Sequence, residues 1–332
     1  MNLLVIQVPA YNEEGRVGAA VAALPKSVPD FARVAVLVVD DGSTDATASE
    51  ARSAGAAEVV TLPVHRGLAA AFNAGIARAL AMGADCIVNF DADSQYDPAD
   101  LPLLTGPIVR GEADIVVGDR GTGALPHFSF GKRLLQRAGS WVVRQASGTE
   151  IGDATSGFRA LSREGAQSLH VFSKMTYTLE TLIQAGSKGL RVRSVPVRAR
   201  ATERRSRIVR SNLHYVLVSG ANILRITALY KPLKVFSAAA AVLVAAGLAL
   251  VARFFWFYFG PRPGGHVQSL IVAAILIVVG VQTFLIALLA DLVSINRTLL
   301  EKLAETKSEI RTAGLDPGQN PGEPRSEEGH RR

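Results

Sequence analysis

The chain has 332 residues, 48% of them apolar, with one cysteine and a formal net charge of +7. That apolar content, gathered partly into two long uncharged runs, argues against a purely soluble enzyme, and a single cysteine excludes a disulfide framework. The positive charge does not point to nucleic acid, because no zinc or RNA-binding motif and no basic face interleaved with aromatics is present.

In chain order, LLVIQV (3–8) predicts a strand and EEGRVGAAVAAL (13–24) a helix ended by Pro25. RVAVLVV (33–39) predicts a strand, and TDATASEARSAGA (44–56) a helix capped by Ser43 or Thr44. EVVTLPV (58–64) is a short strand and 67–83 a helix with glycines at both ends. DCIVNFD (85–91), a helix over 97–111 and DIVVGDR (114–120) complete a regular alternation. Continuous apolar strands alternating with helices predict an α/β, Rossmann-like, mostly parallel sheet covered on both faces. Further on, 134–148 reads as a helix, 151–166 as a loop leading into a helix, 176–189 as a helix and 190–199 as a strand. Cys86 falls in an apolar run and reads as inert core, and His65 and His127 read as ordinary residues of the surface or of the layer just behind a site.

Residues 208–230 mix apolar and polar positions at helical spacing, predicting an amphipathic helix on a membrane surface. Residues 235–252, leading into FFWFYF (254–259), and residues 267–290 carry no charge. Each reaches the roughly 20 residues that a helix needs to span hydrocarbon. The turn-rich linker 260–266 makes them a hairpin, so both outer flanks share one side. Arg225, Lys231 and Lys234 lie before the pair and Arg297, Lys302 and Lys307 after it, which places both flanks and both termini in the cytoplasm. The strand at the start leaves no room for a signal peptide, so the expected location is the plasma membrane. Trp256 reads as an interfacial anchor. The tail from about 313 is rich in Pro, Gly and charge and reads as disordered. The expected division is 1–207, 208–232, 233–293 and 294–332. A homo-oligomer through the spans is compatible with a hairpin that has two faces to bury.

Three apolar strands end in acids: PAYNEE (9–14), DDGSTD (40–45) and DADSQYD (91–97). In parallel sheets ligands bind beyond the carboxyl ends of the strands. Asp91 and Asp93 would repel each other there unless a cation neutralised them. Mg²⁺ or Mn²⁺, held by one or two carboxylates plus substrate phosphates, fits that need, and Gln95 can add a neutral oxygen. Asp40 and Asp41 can accept hydrogen bonds from a base or ribose. With no phosphate-binding glycine loop, a diphosphate must be neutralised by metal and arginine, for which Arg120, Arg204 and Arg210 are placed. Six arginines fall within 198–210, a pattern that suits either anionic lipid or phosphate.

The order PAYNEE, DDGSTD, RGLAAAFNAG, DADSQYDP, GDR and DATSGFR resembles the family 2 glycosyltransferases of GT-A fold over about residues 1–215. It is more closely similar to the dolichol- and polyprenyl-phosphate sugar synthases, in particular the bacterial branch with a two-span hairpin. The resemblance implies that Pro9, Tyr11, Glu13, Val39 and Asp41 cradle the nucleoside and that Asp91 and Ala92 contact the donor, with Asp93 and Gln95 on the metal. It implies that Arg120 and Arg133 grip the acceptor phosphate, with Arg137 nearby, that Asp153 faces the reaction centre and that Glu180 helps to close the site. Arg204 and Arg210 match the basic residues of a mobile loop, although RRSRIVR lacks that loop's glycine and has arginine for lysine. The implied reaction is inverting transfer of a sugar from a UDP- or GDP-linked donor to polyprenyl phosphate. The alternatives are a non-catalytic nucleotide-sugar-binding scaffold and a polysaccharide synthase, whose expected Q-x-x-R-W string and additional spans are absent here. Two spans are too few to line a path for a flippase.

Overall fold

The computed structural model describes residues 1–93, 95–121, 144, 151–169, 171, 177–199, 224, 225, 227, 228, 231–259 and 267–312, with side chains to 296. The expected helix at 134–148 apart from Arg144, nearly all of the surface helix at 208–230 and the tail lie outside the described residues. So do Arg133, Arg137, Arg204, Arg210, His127 and most of the basic run. The chain divides into two compact units, Met1–Lys231 and Pro232–Arg332.

The first unit is built on a seven-stranded sheet. Its strands are β1 (Leu3–Ala10), β2 (Arg33–Asp40), β3 (Glu58–Thr61), β4 (Cys86–Asn89), β5 (Ile115–Asp119), β6 (Arg159–Ser162) and β7 (Val192–Pro196), in the order β3-β2-β1-β4-β6-β5-β7. All pairings are parallel except those of β6, which runs antiparallel to both β4 and β5. The helices are α1 (Val17–Ala23), α2 (Thr47–Ser53), α3 (Leu68–Ala81), α4 (Leu101–Val109, preceded by a 3₁₀ turn), α5 (Arg163–Ser168) and α6 (Thr178–Lys188).

Alternate strand residues feed two cores, one on each face, as the pleat requires. Leu3, Val5, Leu37, Val39, Ile87 and Val117 pack under α3, α5 and α6. Leu4, Ile6, Val8, Val38, Val88 and Val116 pack under α1, α2 and α4. Burial of both faces is why these strands read as unbroken apolar runs. Cys86 is fully buried, and that burial pushes its thiol pKa up, as expected of inert core.

Two local expectations are corrected. Residues 159–162, expected within a loop and helix, form β6, which fills the gap between β4 and β5. Ser43 and Thr44 do not cap α2. The Ser43 hydroxyl accepts from the Asn12 N–H at 2.9 Å, and the Thr44 N–H donates to Asn12 Oδ1 at 3.0 Å, so both tie the turn after β2 to the turn after β1.

The second unit is a pair of helices, α7 (Pro232–Tyr258) and α8 (Val267–Thr312). Residues 232–258 and 267–296 are each long and apolar enough to cross a membrane. At about 1.5 Å per residue, the 46-residue α8 is about 69 Å long and runs well past its apolar segment. Small residues seven apart line the contact: Ala240 and Gly247 on α7, Ala273, Gly280 and Ala287 on α8. A Cβ at Gly247 would lie 2.7 Å from Ile277 Cγ1 and 3.0 Å from the Ala273 carbonyl oxygen. Close backbone approach of this kind is how apolar helices associate where no hydrophobic drive exists between them. Gly247→Leu is therefore expected to destabilise the pair by about 1–3 kcal/mol through overpacking. A melting series in detergent checks this. Val242→Leu, on an exposed face, should leave the melting temperature unchanged.

Candidate active site

The carboxyl ends of β1, β2, β4 and β5 meet at one edge of the sheet, and there the acids gather. Because β6 is antiparallel, the segment before it, residues 151–158, lands on the same edge. This strand reversal carries Asp153 to Arg120, which leaves β5.

The centre of the site is that pair. Arg120 Nε donates to Asp153 Oδ2 at 2.6 Å and Nη2 to Asp153 Oδ1 at 3.1 Å, a two-pronged contact. Nη2 also donates to Thr155 Oγ1 at 2.9 Å and Nη1 to Gln95 Oε1 at 3.5 Å. The Asp153 side chain is fully buried and that of Arg120 is 15% exposed. Burial works against both charges. The Arg120 hydrogen bonds and charge nevertheless hold the Asp153 carboxyl below the usual carboxylate range, and Asp153 raises the Arg120 guanidinium in return.

Asp91, just past β4, has the opposite balance. Burial first, and the charge of Asp93 second, raise its carboxyl to about 6. Asp93 is raised too, by desolvation and then by the charge of Glu13, although its own carboxylate accepts from the Gln95 N–H at 3.0 Å. Both carboxyls therefore carry negative charge that the protein does not fully offset. Among the described residues no set of three or more His, Cys, Asp or Glu could hold a metal by itself. A hard divalent ion fits Asp91, Asp93 and Gln95 only if a ligand supplies the remaining oxygens.

A buried polar network orients Asp91 from below. The Asn89 side-chain amide donates to Gly157 O at 3.0 Å, to Tyr177 OH at 2.8 Å and, more weakly, to Asp91 Oδ1 at 3.4 Å, while its oxygen accepts from Gln7 Nε2 at 3.0 Å. Gly157 leaves room for the Asp91 carboxylate, which a Cβ there would overlap. Arg159 is buried beneath, bonded to the carbonyls of Ala154, Ser156 and Thr178 and to Thr181 Oγ1. Burial lowers its pKa to about 10, so it stays cationic under the two site carboxylates. Asn89→Leu is expected to cost about 2–4 kcal/mol, because in a dry interior the Gln7 amide loses its acceptor and Gly157 O keeps only the Tyr177 hydroxyl. Chemical denaturation checks this, with Asn89→Ser the milder control.

Of the other expected residues, Pro9 and Val39 are buried strand neighbours in register, and Ala92 is buried beside Asp91. The Glu13 N–H is held by Thr47 Oγ1, and its charge reaches Asp93. Glu180 is buried in the first turn of α6, where it accepts from Gln184. Asp41 is buried, and its carboxylate accepts from the backbone of Arg66 and Gly67. Arg198, the first of the six clustered arginines, is paired with Asp100 at 2.6 Å. Asn89, Tyr177 and Arg159 were not among the residues expected at the site, and His65, expected on the surface or just behind the site, stacks on Tyr11. The available signal was polarity inside an expected strand, and it covers Asn89, which interrupts the apolar run CIVNF.

The chain matches Glycosyl transferase family 2 over residues 5–169. It is 30% identical to the polyprenol monophosphomannose synthase of Mycolicibacterium smegmatis, over 58% of this chain and 76% of that one. It is 28% identical to the undecaprenyl-phosphate mannosyltransferase of Micrococcus luteus, over 59% of this chain and 83% of that protein. Among solved structures, glucosyl-3-phosphoglycerate synthase from Mycobacterium tuberculosis, in complex with Mn²⁺, UDP-glucose and phosphoglyceric acid, shares the fold with TM-score 0.52 at 24% identity, over 68% of this chain and 78% of that one.

Proposed function

The chain belongs to glycosyl transferase family 2, and from that premise we propose that it moves a sugar from a nucleotide-sugar donor to a polyprenyl phosphate, with inversion, at the cytoplasmic face of a membrane. The observation that carries this is the meeting of Asp91, Asp93 and the Arg120–Asp153 pair at one sheet edge, in a chain that also has two span-length apolar helices. Two relatives named for polyprenol and undecaprenyl phosphate support the acceptor class.

Asp91, Asp93 and Gln95 would hold Mg²⁺ or Mn²⁺, which supplies charge stabilisation to the departing nucleoside diphosphate. Arg120, fixed by Asp153, presents a cation at the same edge and stabilises phosphate charge without reorganising. A phosphate acceptor is already anionic near neutral pH, so no strong general base is needed to activate it. Asp153, saturated by Arg120 and Thr155, positions rather than takes a proton. Arg133, Arg137, Arg204 and Arg210 complete the proposal as further phosphate ligands, and residues 1–207 as the catalytic domain.

A donor screen tests this reading. Purified protein with undecaprenyl phosphate and Mn²⁺ is offered labelled UDP- and GDP-sugars, and label is counted in the organic phase. Label from at least one donor, lost with excess EDTA, is expected; none from any donor contradicts the proposal.

A further inference from the structure

The turn that opens α3 carries an arrangement that the chemistry above does not use. Asp41, at the end of β2, takes three donors from consecutive residues: the backbone N–H groups of Arg66 at 2.9 Å and Gly67 at 2.7 Å, and His65 Nδ1 at 2.9 Å. His65 Nδ1 also lies 3.4 Å from the Asp41 backbone oxygen. Carboxylate and carbonyl oxygens only accept, so Nδ1 must carry the hydrogen. In the neutral ring this leaves Nε2 as a bare acceptor.

The orientation of that ring is fixed on two sides. It stacks on Tyr11, with centroids 3.7 Å apart and planes 21° from parallel. The His65 side chain is 50% exposed while that of Asp41 is 3% exposed, so the open edge is the one away from Asp41. Among the described residues Nε2 has no partner. Gly42 permits the approach: its φ is +70°, and a Cβ there would lie 2.7 Å from the His65 backbone nitrogen. The glycine of DDGSTD therefore seats the histidine.

We propose that His65 reads the base of the donor nucleotide, its bare Nε2 accepting a hydrogen bond from the ring N–H of a uracil or guanine. Asp41 acts through His65 as a positioning residue, since its oxygens are already occupied by residues 65–67. Cytosine and adenine carry a bare nitrogen where uracil has N3–H and guanine N1–H, so they would set lone pair against lone pair. The inference rests on the nucleotide-sugar reading above and deepens it by naming the group that selects the base.

The test is calorimetric titration of the full-length protein in detergent with Mn²⁺ and four probes: UDP, N3-methyl-UDP, GDP and N1-methyl-GDP. One unmethylated nucleotide is expected to bind about tenfold tighter than its methylated form, the worth of one good hydrogen bond. His65→Phe keeps a ring on Tyr11. It should lose that tenfold for the unmethylated probe and bind both forms alike. In two-bond ¹H–¹⁵N spectra of the wild type, the His65 Nε2 resonance should be that of an unprotonated nitrogen and should shift when the nucleotide is added. Unchanged affinity in His65→Phe, or a methylation cost that survives in it, overturns the role of His65 and leaves the donor reading standing. An Nε2 resonance that is protonated or does not shift overturns the role even if the variant fails to fold. A wild type that binds neither UDP nor GDP contradicts the donor reading and this inference together.

Discussion

Replacing Arg120 by methionine is expected to lower kcat/KM for sugar transfer by about 10²–10³-fold, the usual effect of removing one preorganised charge-stabilising donor. It should also destabilise the fold by about 3–5 kcal/mol, because Asp153 is left as a buried carboxylate without its counter-charge. The two losses separate in a second variant. Arg120→Met combined with Asp153→Leu removes the stranded charge, so the melting temperature should recover while transfer stays low. Recovery of activity along with stability would show that Arg120 only holds the loop. Arg120→Lys should fall between, since an ammonium keeps the charge but cannot grip Asp153 with two prongs.

Asp91→Asn and Asp93→Ala are each expected to abolish Mn²⁺-dependent transfer, a loss of about 10³-fold or more, with far-UV circular dichroism unchanged. The wild type should also show a distinctive pH dependence. A proton competes with the ion for Asp91, whose carboxyl is raised to about 6. Mn²⁺ affinity should therefore weaken as pH falls through about 6, rather than near the ordinary carboxylate value of about 4. In the metal-free protein the sign for stability is the reverse. A raised carboxyl favours the folded state fully below its ordinary pKa, and that contribution is lost as pH rises through about 6. Added Mn²⁺ should restore stability above that pH. Titration by electron paramagnetic resonance across pH 5–8 checks the first point, and melting curves with and without Mn²⁺ check the second. A metal affinity flat down to pH 5 would show that Asp91 does not bind the ion.

The parallel strands were legible because burial on both faces leaves an unbroken apolar signature, as in AVLVV and CIVNF. Their ends were legible because carboxylates seldom follow such runs without a partner. β6 escaped because an antiparallel strand of four residues, beginning with Arg159 and ending with Ser162, has neither that length nor that purity. Its arginine is buried only because carbonyls and a threonine hydroxyl, brought together by folding, accept all its bonds. Asp153 was marked by its motif, but its bond to Arg120 needed the strand reversal. The partners of His65 were hidden for a related reason. A histidine in a turn is common, and only the fold shows the carboxylate on one side of it and the tyrosine ring on its face.

If a lipid phosphate accepts the sugar, as proposed, a comparison of acceptors will show it. With the donor that gives most product, the full-length protein and Mn²⁺ are offered undecaprenyl phosphate, undecaprenol and 3-phosphoglycerate in parallel, and products are identified by mass spectrometry. One product is expected, the sugar joined to undecaprenyl phosphate, with none from the alcohol that lacks the phosphate. Transfer to 3-phosphoglycerate in preference to the lipid, or equal transfer to undecaprenol, would contradict it.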